Sequence, residues 1–303
     1  MNELFIVEQL FNGLSIGSIM LLAALGLALS FGLMRVINMA HGEMLMIAGY
    51  ITYLSSLWVK GGAFIWLAIP LAFVGTALLG VLLEVLVIRR LYGRPLDTLL
   101  ATWGISLILQ QACRQIFGPT GVPVNAPEWL SGAITLSSGP LNGLVIPHTR
   151  LFVIALSVVV LAGMGLLLSH SRFGMYVRAV NQNREVAQSL GVNTRLVDMG
   201  VFALGSGIAG IAGVALALLS PVNPTVGASY IVNAFLVVIV GGIGSIAGTA
   251  LSAIVLGFFT AATESLTSVS LAKVIVLVFV VALLQVRPRG FISVRSRALE
   301  VDS

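Results

Sequence analysis

Residues 171–197 read SRFGMYVRAVNQNREVAQSLGVNTRLV and separate two long apolar runs. The chain is 58% hydrophobic and only 9% charged, yet this stretch, called the island below, carries four arginines. They are Arg172, Arg178, Arg184 and Arg195. Charged side chains are costly inside a bilayer, so we expect the island to lie outside it, between two spans. A charged, helix-patterned segment in that position favours contact with another molecule.

The composition places the chain among polytopic membrane proteins. It has 303 residues, a mean hydropathy of +1.07, and only 11 acidic and 16 basic residues. A soluble domain is far less apolar. The net charge of +5 therefore indicates the basic bias of cytoplasmic loops better than it indicates binding to nucleic acid. The single cysteine, Cys113, cannot form an internal disulfide.

Apolar runs of roughly 20 residues predict the membrane spans. The candidates are residues 10–34, 44–58, 64–88, 98–117, 151–169, 197–219, 271–286 and a split segment at 231–262. They predict an all-α polytopic protein, one transmembrane unit over residues 1–303, with about eight full spans plus a broken or re-entrant glycine-rich segment. Residues 118–149 are rich in Pro, Gly, Ser and Asn and predict a long loop with room for a short hairpin.

The basic residues predict the orientation of the chain. Most of them can lie on one side of the membrane if the N-terminus is outside. These are Arg35, Arg89, Arg90, Arg94, the four island arginines, Arg287, Arg289, Arg295 and Arg297, against Lys60, Arg114, Arg150 and Lys273 on the other side. Cytoplasmic loops carry the excess of Lys and Arg. The island and the tail, 287–303, are therefore predicted to be cytoplasmic, and the loop 118–149 extracytoplasmic.

A glycine-rich break is predicted within the split segment. Given this orientation, residues 231–262 must cross inward and return. Their middle, 240–248, reads VGGIGSIAG and includes Gly241, Gly242 and Gly244. Such a break is tolerated where protein or a cavity satisfies the freed backbone groups.

The island contains the signals of a short helix. Asn181 or Asn183 can cap its N-terminus, and Glu185 lies in the first turn, where the helix dipole favours an acid. Gly191 suits the position after the C-terminus. An apolar stripe is formed by Val186, Ala187 and Leu190. A solvated loop anchored by arginines is the plainer alternative, but the order of these signals favours a docked helix.

Three segments together resemble a known family. Residues 178–193, RAVNQNREVAQSLGVN, are similar to the coupling loop of ABC importer permeases. Residues 26–50, GLALSFGLMRVINMAHGEMLMIAGY, and 237–257, VVIVGGIGSIAGTALSAIVLG, resemble further signatures of the permeases for branched-chain amino acids and urea. Residues 94–104, RPLDTLLATWG, with LQQ at 109–111, look more like the urea branch.

The resemblance implies a subunit of a bacterial inner-membrane importer without a cofactor. It implies a second permease chain, two ATPase subunits and a periplasmic binding protein. Urea is the expected solute, and a branched-chain amino acid or a short-chain amide is the alternative. It also implies a contact with the ATPase, made by Arg178, Asn183, Arg184, Glu185, Val186, Ala187, Leu190 and Gly191. The sequence has no GxxxxGK[ST] phosphate-binding loop, so ATP is expected to be hydrolysed by a partner.

A polar cluster of Asn38, His41 and Glu43 interrupts an apolar region. Intramembrane ionisable residues often have functional roles. On a helix, His41 and Glu43 point about 200° apart, so they cannot face one ligand. Two interpretations remain open: a hydrogen-bond cluster between helices, or a lining of the pathway. Histidines are too few and too dispersed to favour a metal site.

Other patterns are better explained without catalysis. Gly13, Ser15 and Gly17 match G-x-S-x-G, but within an apolar helix they predict a packing face. Glu84 is predicted to pair with an arginine just beyond it, with a proton relay as the less favoured interpretation.

A secondary transporter or channel that works alone is the alternative, of another class, to the importer subunit.

Overall fold

The computed structural model describes residues 3–34, 36–59, 61–135, 143–288 and 290–292. Predictions for Arg35, Lys60, Arg289, Arg295 and Arg297 lie outside these residues, as does most of the tail 287–303. The described part is almost entirely helical. The helices are α1 (Glu3–Met34), α2 (His41–Trp58), α3 (Phe64–Leu86), α4 (Pro95–Phe117), α5 (Glu128–Ser131), α6 (His148–His170), α7 (Arg172–Gln182), α8 (Arg184–Ser189), α9 (Thr194–Ala217), α10 (Val226–Gly241), α11 (Ile246–Leu266) and α12 (Val269–Val286).

The long loop between α4 and α6 contains the predicted hairpin. Strands β1 (Ala133–Thr135) and β2 (Val145–Pro147) pair antiparallel, with Ile134 opposite Ile146. A second backbone pairing joins Val122 to Val222, which follows α9. The loop is therefore tied to the α9–α10 connection.

Six helical segments of the described chain are long and apolar enough to cross a membrane. They are Phe5–Gly32, Phe64–Arg90, His148–His170, Thr194–Ala217, Ile246–Leu266 and Val269–Val286, with Val226–Gly241 as a shorter apolar helix. The candidate spans 44–58 and 98–117 also form helices, but they are not among the six. Their helices include polar residues such as Glu43, Gln110 and Arg114. The chain is thus an all-α, multi-pass membrane protein.

Helices α1 and α9 form the centre of the structure. Helix α1 packs along α11 and α9, and α9 packs along α3 and α2. Glycines allow the backbones to approach, because a Cβ at Gly26 would lie 2.1 Å from the Gly205 carbonyl oxygen. Gly13 and Gly17 likewise meet Phe258 and Ala253 of α11. The packing interpretation of the G-x-S-x-G pattern is therefore confirmed.

The glycine-rich break joins α10 to α11 in a helical hairpin. Gly242 and Gly244 have φ values of +100° and +86°, which glycine adopts without a steric penalty. Ser245 then caps α11, since its Oγ accepts a hydrogen bond from the Gly248 amide at 3.0 Å. The break lies within the predicted 240–248. Helix α10 begins at Val226, five residues before the predicted start of the split segment.

The island and most arginines lie at one end of the molecule. Arg178 of the island and Ile246 at the start of α11 line the same cavity. Gly244 lies against Gly32 near the end of α1, and the Phe291 amide donates to the Val240 carbonyl at 2.8 Å. The end of α1, the α10–α11 turn, the island and residues 290–292 therefore share one face.

Candidate functional site

The island folds as two capped helices followed by α9. Ser171 Oγ accepts from the Gly174 amide at 3.0 Å and caps α7. Asn183 ends α7 and caps α8, accepting from the Val186 amide at 3.0 Å. Asn193 caps α9 in the same way. Of the two predicted capping asparagines, Asn183 is the one used.

Gly191 ends α8 with a tight backbone motif. Its φ is +85°, and its amide donates to the Gln188 carbonyl at 2.9 Å. The next amide, of Val192, donates to the Ala187 carbonyl at 3.0 Å. This pair of bonds is the Schellman arrangement, in which a left-handed residue closes a helix. The turn fixes where Leu190 points.

Helix α8 exposes two apolar side chains at a spacing of four. Val186 is 53% exposed and Leu190, just after the last helical residue, is 80% exposed. Ala187, however, is only 3% exposed and faces the chain itself. This corrects the predicted stripe of three: the apolar surface offered by α8 consists of Val186 and Leu190.

A shallow cavity of about 310 Å³ lies beside Leu190. Its walls come from α7, the α8–α9 turn and the start of α9, and they include Phe173, Tyr176 and Leu196. Tyr176 and Leu196 are themselves exposed. A contiguous apolar patch on a charged segment is typical of a protein contact. We call this patch, with Val186 and Leu190, the island patch.

Arg184 anchors α8 to the transmembrane helices. Its guanidinium forms a two-pronged salt bridge with Asp198, which is buried in the second turn of α9. The hydrogen bond to Asp198 raises the pKa of the Arg184 guanidinium above its usual value. Arg184, which the resemblance places in the contact with the ATPase, is therefore engaged within the chain. Glu185 and Arg178 are exposed, and Arg178 also donates to the Leu168 carbonyl.

The same arginine connects to the end of α3. The Arg184 guanidinium lies 5.6 Å from the centre of the Tyr92 ring, within cation–π range. Tyr92 Oη donates to Glu84 Oε1 at 3.1 Å, and Arg89 pairs with the same carboxylate at 2.8 Å. Burial raises the pKa of the Tyr92 phenol, so the hydroxyl stays a donor. The predicted pairing of Glu84 with an arginine is confirmed.

These contacts connect α8 to two transmembrane helices. The chain of groups runs from Asp198 on α9 through Arg184 and Tyr92 to Glu84 on α3. We call it the α8 anchor. Helices α3 and α9 also pack against each other along their length. Helix α8 is therefore linked by side-chain contacts to both helices of this pair.

The predicted polar cluster divides among three partners. Asn38 Oδ1 accepts from the Ala40 amide at 3.0 Å just before α2, and His41 Nε2 contacts the Ala23 carbonyl of α1 at 3.2 Å. Glu43 faces α4 instead. His41 and Glu43 thus point to different helices, as their spacing predicted. All three side chains are buried.

Glu43 is held by two residues that the sequence did not single out. Its Oε1 accepts from Ser106 Oγ at 2.7 Å and from Gln110 Nε2 at 2.8 Å. Its Oε2 lies beside Gly227 at the start of α10 and has no hydrogen-bond partner among the described residues. These contacts favour a role in joining α2, α4 and α10. A signal was present, since Thr98, Thr102, Ser106 and Gln110 recur every four residues and form a polar face on α4.

The chain matches one family over nearly its whole length. The family described as "Branched-chain amino acid transport system / permease component" matches residues 9–284. The permease protein BraD of Pseudomonas aeruginosa, named for high-affinity branched-chain amino acid transport, is 29% identical over 94% of this chain and 95% of its own length. LivH of Escherichia coli K12, with the same description, is 27% identical over 95% and 96%. The ribose import permease RbsC of Haemophilus influenzae is 27% identical over 93% and 86%.

No solved structure is significantly similar to the chain. The family match alone spans far more than half of the residues, and relatives align over almost their full lengths. The chain therefore belongs to the family of permease components of branched-chain amino acid transport systems.

Proposed function

We propose that the chain is a membrane subunit of an ATP-driven importer and forms the passage for a small solute. The observation that carries the proposal is the island: a short capped helix, anchored to α3 and α9, that presents Val186 and Leu190. An anchored helix with an exposed apolar face is suited to receive force from another protein. Membership of a transport-permease family supports this interpretation.

The distribution of charge supports the predicted orientation. Arg89, Arg90 and Arg94 are within three residues of Tyr92, which belongs to the α8 anchor. They therefore lie at the same end of the molecule as the island arginines. By the positive-inside rule this end is cytoplasmic, which leaves the loop between α4 and α6 outside. The proposed location is a bacterial inner membrane, as the bacterial relatives suggest.

The proposed mechanism is alternating access. Two ATPase subunits close on ATP and push on the island patch, and the α8 anchor transmits the movement to α3 and α9. Because a packed helix pair moves as a rigid body, the displacement reaches the central helices. The partners are these ATPase subunits, a second permease chain and a solute-binding protein. The sequence carries no phosphate-binding loop of its own.

The favoured solute is a branched-chain amino acid. BraD and LivH are described as permeases for branched-chain amino acids, and neither description supports the urea branch suggested by residues 94–104. Urea is therefore the second candidate rather than the first.

Uptake by the reconstituted complex tests the solute. Vesicles would contain this chain, its partner permease and the ATPases, with binding protein outside and ATP inside. We expect labelled leucine to accumulate at least about tenfold over labelled urea at equal concentrations, since a pocket shaped for an aliphatic side chain gains more than about 1.4 kcal/mol from burying it. Accumulation of urea without leucine would make urea the correct solute.

A further inference from the structure

A groove opens between α1, α10, α11 and α12 at the end opposite the island. Its cavity measures about 620 Å³, within the range of roughly 300–1,000 Å³ typical of small-molecule sites. Helix α10 contributes Ser229, which is exposed, and Asn233 one turn further on. Under the proposed orientation the groove belongs to the outer half of the membrane, which a solute reaches first.

One wall of the groove is aliphatic. Ile16 and Met20 of α1, Leu236 of α10 and Leu277 of α12 all line the cavity. Such a surface removes a branched hydrocarbon side chain from water, which contributes roughly 1.5–3 kcal/mol when burial is complete. The wall offers no comparable gain to a small polar solute such as urea.

The groove also carries one charge of each sign. Glu264 lies in the last turn of α11, and Lys273 lies near the start of α12, across the turn at Thr267 and Ser268. In the described part of the chain neither side chain forms a salt bridge or a side-chain hydrogen bond. Both groups line the cavity and remain available to a ligand. Ionisable residues within membrane-spanning helices are costly and usually face the interior of the helix bundle or a water-filled cavity.

We propose that this groove binds a zwitterionic α-amino acid with an aliphatic side chain. Glu264 receives the ammonium group, Lys273 receives the carboxylate, and the aliphatic wall receives the side chain. Both polar contacts are charge-assisted hydrogen bonds, which are the stronger kind. The proposal rests on the proposed function and names the place where the permease itself recognises the solute.

Cysteine protection tests the site directly. Ser229→Cys places a thiol in the groove, while the native Cys113 is buried and reacts little. The complex in vesicles is treated with a charged methanethiosulfonate reagent, with and without L-leucine. We expect leucine to slow labelling, whereas 3-methylbutylamine, which lacks the carboxylate, and 4-methylpentanoate, which lacks the ammonium, protect roughly tenfold more weakly.

Two variants assign the charges. Both variants are made in the Ser229→Cys background. Glu264→Gln should abolish the stronger protection by leucine than by 4-methylpentanoate. Lys273→Gln should abolish the stronger protection by leucine than by 3-methylbutylamine. Matched controls are Glu128→Gln and Arg114→Gln, which remove exposed charges outside the groove. Both controls should keep the protection of the parent.

The outcomes separate the site from the function. Two results would overturn the site while uptake of leucine stays normal and the function stands. In the first, leucine does not protect the thiol introduced by Ser229→Cys. In the second, leucine protects it equally well in both groove variants and in their parent. Protection by leucine in a complex that does not transport it supports the site and overturns the function. A thiol that reacts in detergent but is shielded in vesicles regardless of leucine identifies a lipid occupant and overturns the proposal. A thiol that reacts only when the partner permease is removed identifies a subunit interface and also overturns it.

Discussion

Val186→Asp combined with Leu190→Asp is expected to abolish ATP hydrolysis stimulated by loaded binding protein, together with uptake. The two side chains form the exposed apolar surface of α8. A central apolar contact in an interface contributes about 2 kcal/mol or more. The double variant loses two such contacts and buries two carboxylates, so stimulated ATP hydrolysis should fall at least roughly 30-fold. The measurement is phosphate release by the reconstituted complex.

A pair of conservative apolar substitutions provides the control. Val186→Ile with Leu190→Met keeps the surface apolar and should retain most of the stimulated activity. Glu185→Lys and Gly191→Val probe the same contact through its charge and through the turn that orients Leu190, since valine is strained at a φ of +85°. Wild-type stimulation in the aspartate pair, with normal membrane insertion, would show that the island patch is not the contact.

Gly26→Ala is expected to destabilise the membrane core strongly. Its Cβ would lie 2.1 Å from the Gly205 carbonyl oxygen and 2.8 Å from the His41 ring. Both helices have other close contacts, so neither can retreat freely. Overpacking of this kind costs roughly 1–3 kcal/mol, and contact with backbone should reach at least the upper figure. We expect a clear loss of folded protein by size exclusion and a lower Tm.

The matched control is Gly163→Ala in α6. Apart from the adjoining residues of its own helix, no heavy atom lies within 4 Å of the added Cβ there, and the helix gains roughly 0.5–1 kcal/mol from replacing glycine. Its Tm should equal or exceed that of the parent chain. Equal Tm values for Gly26→Ala and Gly163→Ala would contradict the close packing of α1 on α9.

The sequence predicted the helices and the island because their signals are local. Asn183 and Gly191 mark the ends of α8 through hydrogen bonds within a few residues, so spacing alone reveals them. The glycine-rich break was predictable for the same reason. Apolar length likewise predicts spans from composition, although polar residues in α2 and α4 make their assignment depend on what surrounds them.

Features that depend on distant partners were not predictable. Nothing near Arg184 in the sequence indicates that Asp198 and Tyr92 bind it, so the sequence predicts a contact with a partner protein instead. Ala187 shares a helix face with Leu190 by spacing, but in the structure it is buried against the rest of the chain. The groove is not predictable from the sequence, because its charges, Glu264 and Lys273, come from two helices whose relative position only the fold determines.

ATP dependence of leucine uptake tests the central claim most directly. Vesicles containing the complete complex and saturating binding protein are loaded either with ATP or with a non-hydrolysable analogue. We predict accumulation against a gradient only with ATP, and none when the chain is reconstituted without its ATPase partners. Concentrative uptake by the chain alone, driven by an ion gradient, would contradict the account and identify a transporter that works by itself.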